Sequence, residues 1–292
     1  MKKTGKSILA GILLLILFCS TAWAGPASDP NLIAAKEQEL AQQTAQAAQA
    51  VPGAPEQHVG PGGAAADPQA PVQGVVSDTI VWSNGRQLDL TKPMLALTFD
   101  DGPQVQSGNR IMDVFAQYGQ RCTFFLVGDR IASRADEVRR MVADGHEVAD
   151  HSYSHAYFNK LSAEQIRSEV AKCNAAIAQT TGVAPTIMRL PGGNKTATVL
   201  ANVNMPIILW NVDTEDWKVK DSARIISRVV GKVKDGDVVL MHELYGTTAT
   251  AVETIVPTLV SQGFQLVTVS ELAKFRGYEL VPGQIYYSFR AK

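Results

Sequence analysis

The sequence predicts an α/β protein, a distorted (β/α) barrel with about seven parallel strands, preceded by a disordered linker. Three observations carry this expectation. After Thr79, short β-branched or apolar runs alternate with longer amphipathic ones, which is the pattern of successive βα units. Gly145, Gly182 and Gly263 each fall just beyond an amphipathic run, where a helix ends readily on a residue free to take a left-handed backbone. Ionisable residues recur at the carboxyl ends of the apolar runs, the rim on which a β/α barrel gathers its chemistry. A doubly wound open sheet is the structural rival.

Taken in order, the chain begins with an address. Lys2, Lys3 and Lys6 precede an apolar run from Ile8 to Cys19, and Ala22-Trp23-Ala24 follows as a small-residue site. That is the layout of a secretory signal peptide over residues 1–24, cleaved after Ala24. The run is shorter than the about 20 residues that span a bilayer, so a membrane is expected as a partner only through an uncleaved signal. Phe18 occupies the place where lipid-attachment signals want a small residue, which argues against a lipid on Cys19. An exported protein is therefore expected, whether secreted, periplasmic or associated with a cell wall.

Residues 25–78 contain 13 Ala, 8 Gln, 7 Pro and 6 Gly and no aromatic residue. Such a segment cannot bury enough apolar surface to offset its chain entropy, so it reads as a mobile linker, with His58 isolated and solvated in it. The folded domain is expected over 79–292.

Within that domain the strand-like runs are Met94–Phe99, Cys122–Val127, His146–Ala149, Thr186–Met188, Ile207–Trp210, Val238–Met241 and Phe264–Val267. Helical patterns fall at Asn109–Tyr118, Ser133–Ala143, Ala163–Thr180, Ser222–Val233 and Thr248–Ser261. Ser162 with Gln165 three residues on forms a capping-box signature ahead of the third helix. Cys122 lies in a strand-like run and Cys173 in a helical one. A single bridge in an exported chain and two buried thiols stand as equal alternatives.

Lys plus Arg total 27 against 28 for Asp plus Glu, so no basic field exists to hold a polyanion, and nucleic acid is excluded as a partner. Five polar clusters should instead converge on one rim: Asp100 and Asp101; Asp150, His151 and His155; Arg189; Asn211, Asp213 and Asp216; His242 and Glu243. The i, i+4 spacing of His151 and His155 would put two imidazoles on one side of a helical turn, within reach of one metal ion. With a carboxylate such as Asp101 they would make a His₂Asp site with open positions, as in a catalytic rather than a structural zinc centre.

Five motifs in order resemble the polysaccharide deacetylases of carbohydrate esterase family 4, the NodB-homology domain. They are Thr98-Phe99-Asp100-Asp101-Gly102-Pro103, His151-Ser152-Tyr153-Ser154-His155, Arg189-Leu190-Pro191-Gly192-Gly193, Asp213-Thr214-Glu215-Asp216-Trp217 and Leu240-Met241-His242. The likeness runs from about Met94 to Leu272. It implies Asp100 as the catalytic base, Asp101, His151 and His155 as ligands of a divalent metal (Zn²⁺ first, Co²⁺ as a substitute), His242 as general acid, Asp216 as the partner that orients it and Arg189 as the cation paired with the base. It also implies Trp217 and Leu240 as walls of an acetate pocket, ordinary packing under the rim being their plain alternative. Where the family usually reads Arg-Pro-Pro-Tyr-Gly, this chain has Gly192, which could still give its backbone N–H to an oxyanion but should leave the pocket wall more open.

The implied activity is removal of N-acetyl groups from an N-acetylglucosamine-containing polysaccharide by a monomer. The signal and long linker favour peptidoglycan among cell-wall glycans; chitin, poly-N-acetylglucosamine and O-acetylated xylan are alternatives. Two other classes compete. A glycosidase would use Asp213, Glu215 and Asp216 as paired carboxylates and leave the histidine pair without a role. A glycan-binding module would show broken motifs, whereas every catalytic position is filled.

Overall fold

The computed structural model describes residues 79–290, so the expected leader (1–24) and linker (25–78) lie outside the described residues. Its strands are β1 (Ile80–Ser83), β2 (Arg86–Asp89), β3 (Met94–Gly102), β4 (Thr123–Leu126), β5 (Glu147–Asp150), β6 (Ile207–Ile208), β7 (Val212–Asp213), β8 (Val238–His242), β9 (Gln265–Leu266) and β10 (Ile285–Tyr286). Its helices are α1 (Val105–Gln117), α2 (Gly128–Ile131), α3 (Ala135–Ala143), α4 (Ala163–Thr181), α5 (Ala197–Asn202), α6 (Asp216–Val219), α7 (Ser222–Val229), α8 (Gly246–Ser261) and α9 (Val269–Phe275).

The parallel ladder runs β5-β4-β3-β8-β7, with β9 beside the start of β3. Met188 bridges Asp150 on one side and Ile207 on the other. The stretch from Ile207 to Asp213 thus begins beside that bridge as β6 and ends as β7 on β8, which closes the ring. The expected strand at Thr186–Met188 is reduced to this single bridge, and Ile207–Trp210 keeps only its first two residues as β6. Both end early: the chain leaves the ladder at Arg189, which is fully buried, and before Trp210, which packs beside it.

Alternation along β3 sets the two layers. Leu95, Leu97 and Phe99 point outward into the cluster shared with α1 and α8, whereas Met94 and Ala96 point inward with Phe125, Ala149 and Val238. Phe99 meets Phe115 edge-on at 6.1 Å and stacks on Phe124 at 5.5 Å between ring centroids. Deleting that ring as Phe99→Ala should cost about 3–5 kcal/mol. Thr98 and Asp100 continue the inward face, so the pleat itself aims Asp100 into the barrel mouth.

Two local signals produced elements beyond the expected set. Asn84 and Gly85, at φ 45° and 73°, make the two-residue turn that pairs β1 with β2. Thr268 and Glu271 cap α9 reciprocally, as Ser162 and Gln165 cap α4. Cys122 and Cys173 are free and buried, and burial pushes both thiols up. Among the described residues no helix is long and apolar enough to cross a membrane.

Candidate active site

Asp100 sits at the end of β3 with Arg189 beneath it. The Arg189 guanidinium is fully buried and lies 4.1 Å from the Phe125 ring centroid. Its Nε and Nη2 donate to the carbonyls of Ile208 and Leu209, at 3.0 and 3.1 Å. Its Nη1 donates to Thr98 Oγ1 at 2.8 Å and to Asp100 Oδ1 at 2.7 Å. Every part of the fork is committed, so the cation is fixed and one carboxylate oxygen of Asp100 is held by it. The other oxygen, Oδ2, is 3.7 Å from His151 Nε2.

Asp101 follows at φ 70°, a left-handed backbone that turns its carboxylate toward the two histidines. His155 Nε2 is 3.0 Å and His151 Nε2 is 3.5 Å from Asp101 Oδ1. The three candidate ligand atoms lie within 4.8 Å of one another. Asp101 Oδ1 is buried and has no hydrogen-bond partner among the described residues. An orphaned anionic oxygen facing two imidazole nitrogens suits a divalent cation. His151 Nδ1 donates to the carbonyl of Arg189 at 2.9 Å, which leaves Nε2 as the unprotonated nitrogen that a metal requires.

The histidine pair does not ride on a helical turn, as its spacing suggested. Ser152 and His155 both have left-handed backbones, at φ 67° and 59°, and the loop is pinned by its own side chains. Ser152 N–H donates to Asp150 Oδ1 at 2.6 Å and His155 N–H to Ser152 Oγ at 2.9 Å. The two imidazoles still meet, 5.1 Å apart between centroids.

His242 ends β8, directly beside Asp100 in the ladder. Its Nδ1 donates to Asp216 Oδ1 at 2.8 Å and its backbone N–H to Asp216 Oδ2 at 2.7 Å. Trp217 N–H and Thr248 Oγ1 also donate to that fully buried carboxylate, at 2.9 and 2.7 Å. Burial works against a charged His242, yet the Asp216 hydrogen bond and the charges of Asp100, Asp216 and Asp101 prevail and raise its pKa.

These residues border a cavity of about 370 Å³ lined by Asp100, Asp101, His151, His155, Gly192, Asp213, Trp217, Leu240 and His242. Tyr157, Trp210 and Tyr245 line it too, and the sequence motifs had not pointed to them. The available signal was an aromatic two residues past His155 and others beside polar strand ends. Trp217 is half-exposed at the mouth and Leu240 buried at its floor.

Of the expected rim residues, Arg189 and Asp216 stand behind Asp100 and His242, and Asp150, Asn211 and Glu243 do not line the cavity, nor does Glu215 of the fourth motif. Asn211 secures Asp237 and the Val238 backbone, at 2.8 and 2.9 Å. Asp150 is buried under the His151 loop, where burial pushes its carboxyl up to about 7. Glu215 pairs with Arg228 at 2.7 Å. Glu243 turns beneath the β3 loop, where its Oε1 accepts the Gln104 N–H at 2.7 Å. Burial and the nearby Glu137 carboxyl raise its pKa well above the ordinary value. Gly102 is glycine because a Cβ there would lie 1.8 Å from Glu243 Oε2. With Asp216 sealed by four donors and Glu215 turned to Arg228, the glycosidase arrangement of paired free carboxylates is absent from these three residues.

A family model described as polysaccharide deacetylase matches residues 87–205. The peptidoglycan-N-acetylglucosamine deacetylase PgdA of Listeria monocytogenes is 35% identical over 197 residues, 68% of this chain and 42% of that protein. The chain thus spans less than half the length of that relative. A chitooligosaccharide deacetylase of Bradyrhizobium is 32% identical over 194 residues, 60% of this chain and 89% of that protein. The solved structure of a family 4 acetyl xylan esterase from Clostridium thermocellum, in complex with a cobalt ion, is 33% identical with a TM-score of 0.64, covering 67% of this chain and 98% of that one. With that identity sustained over nearly the whole of two separate relatives, this chain belongs to the polysaccharide deacetylase family.

Proposed function

We propose that the chain hydrolyses N-acetyl groups of an N-acetylglucosamine-containing polysaccharide, peptidoglycan first among them, and releases acetate. The observation that carries this is the meeting of Asp100, the Asp101-His151-His155 trio and the His242–Asp216 pair around one cavity. The relatives named as peptidoglycan and chitooligosaccharide deacetylases supply the substrate class.

The trio would hold a divalent cation, Zn²⁺ by its two imidazoles and one carboxylate, with Co²⁺ as a substitute. Such an ion supplies positive charge that polarises the acyl oxygen and acidifies a water. Asp100 takes the water proton on Oδ2, because Oδ1 is engaged by Arg189. The water oxygen bonds to the acyl carbon as that proton leaves. Gly192 lines the cavity without a side chain, so its backbone N–H is the donor for the developing oxyanion. The C–N bond then breaks with its electron pair passing to nitrogen, which takes a proton from His242 Nε2. His242 can carry it because Nδ1 is already committed to Asp216. Trp217 and Leu240 shape the slot for the methyl group. Export to the cell surface, expected from residues 1–24, would bring the enzyme to this substrate.

Acetate release should be measured on peptidoglycan, chitin oligomers, poly-N-acetylglucosamine and acetylated xylan, before and after chelation and metal replacement. Elemental analysis should find a stoichiometric transition metal, and chelation should abolish turnover. Full activity in a chelated, metal-free sample, or no acetate from any of the four polymers, would overturn the reading.

A further inference from the structure

One face of the cavity is built by a residue that none of the five motifs contains. Tyr157 leaves the loop that carries His155, and its ring centroid lies 6.2 Å from the His155 ring. The next residue, Phe158, is fully buried in the cluster with Leu190 and Leu209, which anchors the loop from below. Lys160 N–H donates to the Tyr157 carbonyl at 2.9 Å and its ammonium lies 5.6 Å from the ring centroid. The backbone on both sides of Tyr157 is therefore held, yet the side chain remains 46% exposed and lines the cavity.

Across from it is Gly192, at φ 63°. A Cβ placed on Gly192 would lie 2.9 Å from Tyr157 Cε1 and 2.8 Å from Asn194 Nδ2. The tyrosine ring thus occupies the space that a side chain at position 192 would need. The wall expected to be open at Gly192 is closed from a different loop. A half-exposed aromatic ring at the mouth of a polar cavity is an unfavourable surface for water, and it is the surface that the C–H face of a pyranose ring covers well.

We propose that Tyr157 is a specificity-determining residue whose ring stacks on the sugar that bears the scissile acyl group, and that Gly192 is glycine to make room for it. This rests on the deacetylase reading and adds to it the side chain that selects a pyranose substrate over a bare acetyl group. Its action is on binding, because no hydrogen bond or ion pair joins Tyr157 to Asp100 or His242 among the described residues.

The test compares an N-acetylglucosamine oligomer with 4-nitrophenyl acetate, which has no sugar ring, on the metal-loaded enzyme. Tyr157→Ala should raise KM for the oligomer about tenfold with kcat little changed, and should affect 4-nitrophenyl acetate turnover much less. Tyr157→Phe should restore the parent KM, since the ring and not the hydroxyl makes the contact. Gly192→Ala should raise KM steeply in the parent and much less in the Tyr157→Ala background. The strain of alanine at a left-handed φ and its approach to Asn194 are common to both backgrounds, so they cancel in the cycle. Equal losses on both substrates, an unchanged oligomer KM, or strict additivity with Gly192→Ala would overturn the proposal. Inactivity of the parent on both substrates would overturn the deacetylase reading and the proposal with it.

Discussion

Asp216→Asn is the substitution that separates the chemistry of the His242 pair from its architecture. The carboxylate receives four donors: His242 Nδ1 and N–H, Trp217 N–H and Thr248 Oγ1. An amide keeps one oxygen and replaces the other with a donor, so two of these four lose their acceptor. A hydrogen bond to a charged group contributes about 1.5–3 kcal/mol, so losing the anionic acceptor should make His242 easier to deprotonate than in the parent. Its pKa is raised in the folded chain, and the general acid must be protonated, so the alkaline limb of kcat/KM should move to lower pH in the variant. The same sign governs stability. A histidine with a raised folded pKa stabilises the fold below its unfolded pKa of 6.5, and that contribution is lost as pH rises through the folded value. The parent and the variant should therefore differ most in melting temperature on the acid side, on top of about 1–3 kcal/mol from the unpaired donors at every pH. The assay is a kcat/KM profile on an acetylated oligosaccharide from about pH 5 to about pH 10, wide enough to bracket both limbs, with thermal melts in the same buffers. A lowered melting temperature with an unmoved alkaline limb would refute the reasoning and leave Asp216 a purely structural residue.

Asp100→Asn keeps an acceptor for Arg189 but removes proton acceptance, so turnover should fall by ~10²-fold or more while the metal content stays that of the parent. Asp101→Asn should instead lower bound metal by ~10-fold or more in elemental analysis, and an exchange of these two phenotypes would reverse the assignment of base and ligand. His146 is kept neutral by burial and then by the charges of Arg121, Arg140 and Arg86, its pKa pushed down to about 3, and its Nδ1 accepts the Cys122 N–H at 3.2 Å. A depressed folded pKa means that its stability contribution is complete above 6.5 and is lost at about 1.4 kcal/mol per pH unit as pH falls toward 3, so His146→Gln should flatten the acid side of a melting-temperature profile.

Type and spacing made part of this molecule legible in advance. Asp100, Asp101, His151, His155, Arg189, Asp216 and His242 stand at ends of apolar runs, and parallel β/α topology carries strand ends to one rim whatever the loops between them do. The same logic located α4, whose Ser162–Gln165 box and Gly182 terminus are both present. Other features depended on side-chain geometry that spacing does not encode. His151 and His155 were expected on a helical turn, yet two left-handed residues deliver the same meeting of rings from a loop. Glu243 and Asn211 carry the polar character of rim residues, but they spend it on backbone N–H groups beneath the rim.

Tyr157 and Gly192 show why the wall of the site was harder to read than its centre. A metal ligand or a general base is defined by an atom with a lone pair, and few residue types can supply one, so a position in sequence nearly names the role. A wall is defined by occupied volume, and any loop that reaches the place can fill it. The absence of a side chain at Gly192 therefore implied an open wall only while position 192 was considered alone. The 2.9 Å approach of Tyr157 Cε1 to the missing Cβ shows two distant positions sharing one volume. Shared volume is a pairwise property, and it follows that substitutions at either position should be non-additive. Asp100 and Asp216, whose carboxylates share no hydrogen-bond partner among the described residues, should instead act on separate limbs of the pH profile.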